Sequence, residues 1–205
     1  MGTQITRLTR LAAAGLSAVL LFATTACAAT SPAETEPDNK TSVPAPTGPI
    51  NVVVSLNQWC SLAAELGGDD VEVTSIVNST NVDAHDFEPK TSDVAKLSKA
   101  QIIVANGAGY DSWATKSMTK TTNIVSAASV MGAVEGDNPH LWFSKDARSS
   151  MATASTDAYI KALPSREKAF QRRVKALQAD EKSLETWASE FTKSHSNLTY
   201  AATEP

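Results

Sequence analysis

From Ile50 onward, apolar positions fall into short runs whose period alternates between strand and helix. INVVVS (50–55) is a β-branched run, the pattern of a buried strand. LNQWCSLAAELGG follows, with Leu62, Ala63 and Leu66 at helical spacing and Gly67-Gly68 as a stop. VEVTSIV (71–77) predicts a second strand, followed by the polar loop NSTNVDAHDFEP. TSDVAKLSKA (91–100) predicts a helix capped by Thr91 or Ser92, with Asp93 in its first turn. QIIVANG (101–107) is another buried strand ending in glycine, DSWATKSMTK a short helix and TNIVSA a fourth strand. DARSSMATASTDAYIKALP (146–164) predicts a helix stopped by Pro164. The stretch 165–194 has neither proline nor glycine. In it Phe170, Val174, Leu177, Leu184, Ala188 and Phe191 recur at four- and three-residue steps, with Glu181 interrupting. That is one long helix of about eight turns, read as a packed scaffold. NLTYAA (197–202) reads as the opening strand of a new unit.

Strands alternating with helices imply crossover connections, hence an α/β fold with a parallel sheet. Ligands of such sheets sit outside the carboxyl ends of the strands. The loop after the second strand carries His85, and the loop MGAVEGDNPHLW, after the fourth, carries His140. Both are expected at that one edge.

The first fifty residues differ in kind. MGTQITRLTR is basic and LAAAGLSAVLLF (11–22) is apolar, the pattern of an export signal. A run of about 12 apolar residues is too short to span a bilayer, which needs roughly 20. TTAC (24–27) resembles a bacterial lipoprotein cleavage site, which would make Cys27 the lipid-bearing first mature residue; the other reading is an ordinary secretory signal. Residues 28–49 hold five of the nine prolines and almost no apolar bulk, so they read as a disordered tether. The expected organisation is a signal at 1–26, a tether at 27–49, a lobe at 50–164, a long helix at 165–194 and the start of a second lobe at 195–205. Removing residues 1–26 takes away Arg7 and Arg10 and no acid, moving the formal charge from −4 to −6. That balance argues against nucleic acid and anionic lipid as partners. With Cys27 acylated, Cys60 stands alone and packs as a small apolar residue.

The chain has three histidines, at 85, 140 and 195. His195 follows Lys193 at a helix end, where a cation is favourable without any function. His85 and His140 are different, because the strand pattern sends both to one sheet edge. Two imidazoles with carboxylates nearby are a reasonable set of ligands for zinc, manganese or iron. Asp83 and Asp86 are placed to accept the proton of the far ring nitrogen of His85, or simply to solvate the loop. Copper would recruit sulfur, and Met118, Met131 and Met151 form no cluster. A metal-dependent hydrolase is the competing reading, with Glu88 as the nearest base. Yet the chain has no HExxH helix and no GxSxG turn, and a salt-bridged turn of Glu88 with Lys90 is the plainer account.

DAHDFEP, ANGAGYDSW and NPHLW, taken together and in order, resemble the metal-binding lipoproteins that serve ABC importers for zinc and manganese. The resemblance implies two α/β lobes joined by a rigid helix, with metal held between them. It also implies a lipid-anchored, extracytoplasmic monomer that is not an enzyme and hands its ion to a membrane permease. It assigns His85 and His140 as ligands from the first lobe. The third ligand of that family, histidine or glutamate, follows the first strand of the second lobe, where Glu204 falls here. The fourth, an aspartate, has no counterpart, so the chain is expected to be a fragment or a truncated form with weak metal binding.

Overall fold

A computed structural model of the chain describes residues 48–79, 82–116, 123–199 and 201, all within the compact unit that begins at Ser42. The signal, the tether up to residue 47, Cys27 and Glu204 lie outside the described residues.

The described residues hold a four-stranded, fully parallel sheet. Its strands are β1 (Ile50–Leu56), β2 (Val71–Val77), β3 (Ile102–Ala105) and β4 (Asn123–Ser126), in the order β2-β1-β3-β4. Val53 of β1 pairs with Thr74 on one side and Ile103 on the other. Helices α1 (Asn57–Gly67), α2 (Thr91–Lys99), α4 (Lys145–Ala162) and α5 (Glu167–Ser194) follow the chain, with a short α3 (Ala127–Met131) after β4.

Central strands of a parallel sheet are covered on both faces, which is why β1 and β3 read as continuous apolar runs. Their side chains divide by the two-residue period of a strand. Val52, Val54, Ile102 and Val104 face one core with Trp59, Leu66, Met151, Tyr159 and Phe170. Val53, Ile103 and Ala105 face a smaller one with Leu97, Ala100 and Ala114. Each large side chain so buried contributes about 1.5–3 kcal/mol. The Tyr159 hydroxyl, buried with it, donates to Ala63 O at 3.1 Å and so is satisfied inside the core.

Local chemistry moves several expected boundaries. The cap of α2 is Lys90, not Thr91 or Ser92: the Asp93 carboxylate reaches back to accept the Lys90 N–H at 3.1 Å. The helix expected from Asp111 is a single 3-10 turn, Ser112–Ala114, within the described residues, because the Asp111 side chain points into the protein. An unexpected α3 follows β4, capped by the Ser126 hydroxyl, which accepts from Ser129 N–H, and closed at Gly132 in a left-handed conformation. Ser144 caps α4 by accepting from Ala147 N–H. Of the strand expected at 197–202, Tyr200 and Ala202 lie outside the described residues; in the described part Leu198 N–H bonds back to His195 O at 3.1 Å. Among the described residues the scaffold helix is packed in its first half, whereas Leu184, Trp187 and Phe191 further on are exposed. Cys60 is half-buried, and burial raises its thiol pKa, as a packing role requires.

Candidate metal centre

The strand order reverses between β1 and β3, because β2 lies on one side of β1 and β3 on the other. A parallel sheet opens a crevice at the carboxyl end of such a switch point. Here the crevice is filled by a polar knot. Asp111, 1% exposed, accepts from the Ser55 hydroxyl at the end of β1 (2.5 Å) and from the Asn106 and Gly107 N–H groups beyond β3 (2.7 Å each). These bonds shape the turn Gly107-Ala108-Gly109, three successive residues with positive φ (80°, 54° and 83°). Glycine is required at 107 for space as well as conformation, since a Cβ there would lie 2.6 Å from that of Ala128. The turn lifts Tyr110 onto the sheet edge.

Tyr110 brings the two loops together. The His85 ring meets it edge-on at 4.4 Å between centroids, and the His140 ring lies 6.1 Å from it. Trp142 completes the cluster, 5.4 Å from Tyr110 and 5.3 Å from His140. Beside it a cleft of about 420 Å³ is lined by Leu56, Gln58, Val77, Ser79, Asp83 and Tyr110.

The two histidines are held differently. The Asp83 carboxylate does not fix the His85 ring, as expected, but accepts the His85 backbone N–H at 2.9 Å, a tight local turn. Asp86 makes no hydrogen bond to that ring among the described contacts. The loop is tied down through buried Ala84, whose carbonyl accepts from Trp113 Nε1 at 3.2 Å, while Phe87 packs on Trp113 at 4.7 Å. For His140, Asn138 Oδ1 accepts both the backbone N–H (3.0 Å) and ring Nδ1 (2.7 Å). An oxygen already accepting an N–H must accept from the ring too. The Nδ1 proton is thereby fixed, and the ring lone pair lies on Nε2.

Among the described residues no three histidine, cysteine, aspartate or glutamate side chains gather into a metal-binding set. The structure brings His85 and His140 to one aromatic platform. His195 is at the end of α5, its ring stacked on Phe191 at 4.2 Å and its Nδ1 3.0 Å from Phe191 O. Glu88 is exposed and forms no ion pair with Lys90 among the described contacts, so the salt-bridged turn is not formed. Met151 is buried and Met131 exposed, which leaves no pair of described thioethers at the edge. Ser55 and Trp59 went unremarked in the sequence, and Asn106, Tyr110 and Asp111 stood there only within the motif ANGAGYDSW, with no role assigned to them.

The chain is similar to several proteins of known sequence and structure. Over 67 residues the chain is 42% identical to a putative metal-binding protein of Treponema pallidum, covering 33% of this chain and 21% of that one. It is 27% identical over 188 residues to the manganese-binding lipoprotein MntA of Bacillus subtilis, covering 85% of this chain and 58% of the relative. The chain therefore spans little more than half the length of these relatives, or less. Among solved structures, the metal-dependent lipoprotein YcdH of Bacillus subtilis superposes with a TM-score of 0.63 at 23% identity, over 70% of this chain and 56% of that one. Zn(II)-bound AdcA of Streptococcus pneumoniae gives 0.61 at 21% identity, over 70% and 32%. These likenesses establish the fold. The model of the family described as zinc-uptake complex component A, periplasmic, matches residues 52–205, three quarters of the sequence, and the chain belongs to that family.

Proposed function

We propose that this chain captures a zinc or manganese ion outside the cytoplasm and delivers it to the permease of an ABC importer. The observation that carries the reading is the meeting of His85 and His140 on Tyr110 at the carboxyl edge of the sheet. Imidazole nitrogen suits both metals, and an aromatic wall behind the ligands excludes water from one side. The ion is cargo. On this reading the site binds and releases its ion rather than turning over a substrate.

Four further assignments belong to this proposal. Cys27 carries the lipid anchor, and residues 27–49 hold the domain off the membrane. The protein works as a monomer. Helix α5 links this lobe to a second one. Glu204, from that second lobe, supplies a carboxylate that favours manganese more than a third imidazole would.

The test is a zinc and manganese titration of single variants. His85→Ala and His140→Ala should each weaken binding more than about tenfold, or roughly 1.4 kcal/mol. His195→Ala should leave it unchanged. Equal losses for all three variants, or none for the first two, would overturn the reading.

A further inference from the structure

We propose that Asn106 is a positioning residue for metal capture, fixing where His140 sits without touching the ion. The proposal rests on the reading that His140 is a ligand.

Asn106 is fully buried at the carboxyl end of β3, and both ends of its side-chain amide are engaged. Oδ1 accepts from Trp59 Nε1 on α1 at 3.1 Å, and Nδ2 donates to Pro139 O at 2.8 Å and to Gly107 O at 3.3 Å. An indole nitrogen only donates, so Trp59 dictates which end of the amide is oxygen and turns the NH₂ towards Pro139. The backbone is equally committed: the Asn106 N–H goes to Asp111 Oδ2, and its carbonyl accepts from Ala128 N–H at 2.7 Å. One side chain thus connects the core to the residue immediately before His140.

Up to residue 138 the loop it holds has no apolar anchor, although beyond His140 the side chains of Leu141 and Trp142 pack on the core. Residues 131–138 are exposed apart from half-buried Ala133, with Gly132 and Gly136 at positive φ. A loop without apolar burial moves when its anchoring bond is cut. The His85 loop hangs instead from Ala84 and Trp113. Loss of Asn106 should therefore disturb His140 and spare His85.

The experiment compares Asn106→Ala with Leu97→Ala, a cavity on the opposite face of the sheet, in the full chain. Zinc affinity is read by competition with a chromophoric chelator, and imidazole tautomers by ¹⁵N NMR of the metal-free protein. Asn106→Ala should weaken zinc binding about ten- to a hundredfold, the range seen for partners that orient a ligand. It should also move the His140 ring resonances away from a single Nδ1-protonated form, with those of His85 unchanged. Leu97→Ala should lower the melting temperature and change neither readout. If Asn106→Ala does not fold, Trp59→Phe removes the donor that orients the amide and should give the same pattern, weaker. Unchanged zinc affinity, or His85 resonances moving as much as those of His140, would overturn the proposal. If His140→Ala binds zinc as the parent does, the ligand reading itself is wrong. If His140→Ala weakens zinc and Asn106→Ala does not, only the positioning role is lost.

Discussion

The two halves of α5 carry the same apolar rhythm and meet different surroundings. In the first half Phe170 is fully buried against Tyr159 at 5.5 Å, with Val174 and Leu177 packed on the same core. In the second, Leu184 is 57% exposed, Trp187 60% and Phe191 43%. The ion pairs divide in the same way. Arg173, with Arg166 just before the helix, closes on nearly buried Asp70 at 2.9 and 2.6 Å. Lys145 and Glu185 meet at 2.8 Å with both side chains more than half exposed. An amphipathic stripe is a helix's offer of a face; only a neighbouring element turns the offer into stability.

Substitutions along the helix make that contrast measurable. Phe170→Ala should be the most damaging, costing about 3–5 kcal/mol by chemical denaturation, as for other large buried aromatics. A loss below about 1 kcal/mol would mean that the first half is not anchored as described.

Asp70→Asn comes next, at about 1–3 kcal/mol, because it leaves two guanidinium groups without their shared carboxylate. It also carries a pH signature. Burial alone would raise the Asp70 carboxyl, but hydrogen bonds and charge from Arg166 and Arg173 outweigh it and hold the pKa below the ordinary value. A depressed folded-state pKa contributes stability above the unfolded value, about 3.9, and loses it as pH falls through the folded one. The gap in melting temperature between parent and Asp70→Asn should therefore be constant near neutrality and narrow below about pH 4. A gap that stays constant into acid would remove the charge from the explanation.

Trp187→Ala should change stability by less than about 0.5 kcal/mol, since its stacking on Phe191 at 5.5 Å is a contact within one exposed turn. A cost near that of Phe170→Ala would erase the difference between the halves. Glu185→Gln should have the smallest effect. Its hydrogen bond to Lys145 lowers the Glu185 carboxyl pKa and raises that of Lys145, yet solvent screens both groups. A melting temperature indistinguishable from the parent at low and high salt is the expected result.

Much of the fold was legible in order along the chain. A parallel sheet covered on both faces demands uninterrupted apolar runs, so the central strands β1 and β3 stood out at 50–55 and 101–107, and the edge strand β2 showed at 71–77 by its β-branched residues, all close to their observed limits. Proline at 164 ended α4, and its absence thereafter allowed α5. The histidine loops were legible for the same reason, since alternating strands and helices put both at the carboxyl edge. What the tertiary structure alone decided involves partners distant in sequence. Asn106 meets Trp59 and Pro139, 47 and 33 residues away, and Asp111 meets Ser55 across 56. A local pattern records which environment a residue prefers, whereas a buried hydrogen bond depends on which donor the fold delivers to that point. The stripe on α5 is the same lesson in apolar form: its period was written in the sequence, but its burial required an apolar surface, which among the described residues the first half of the helix meets.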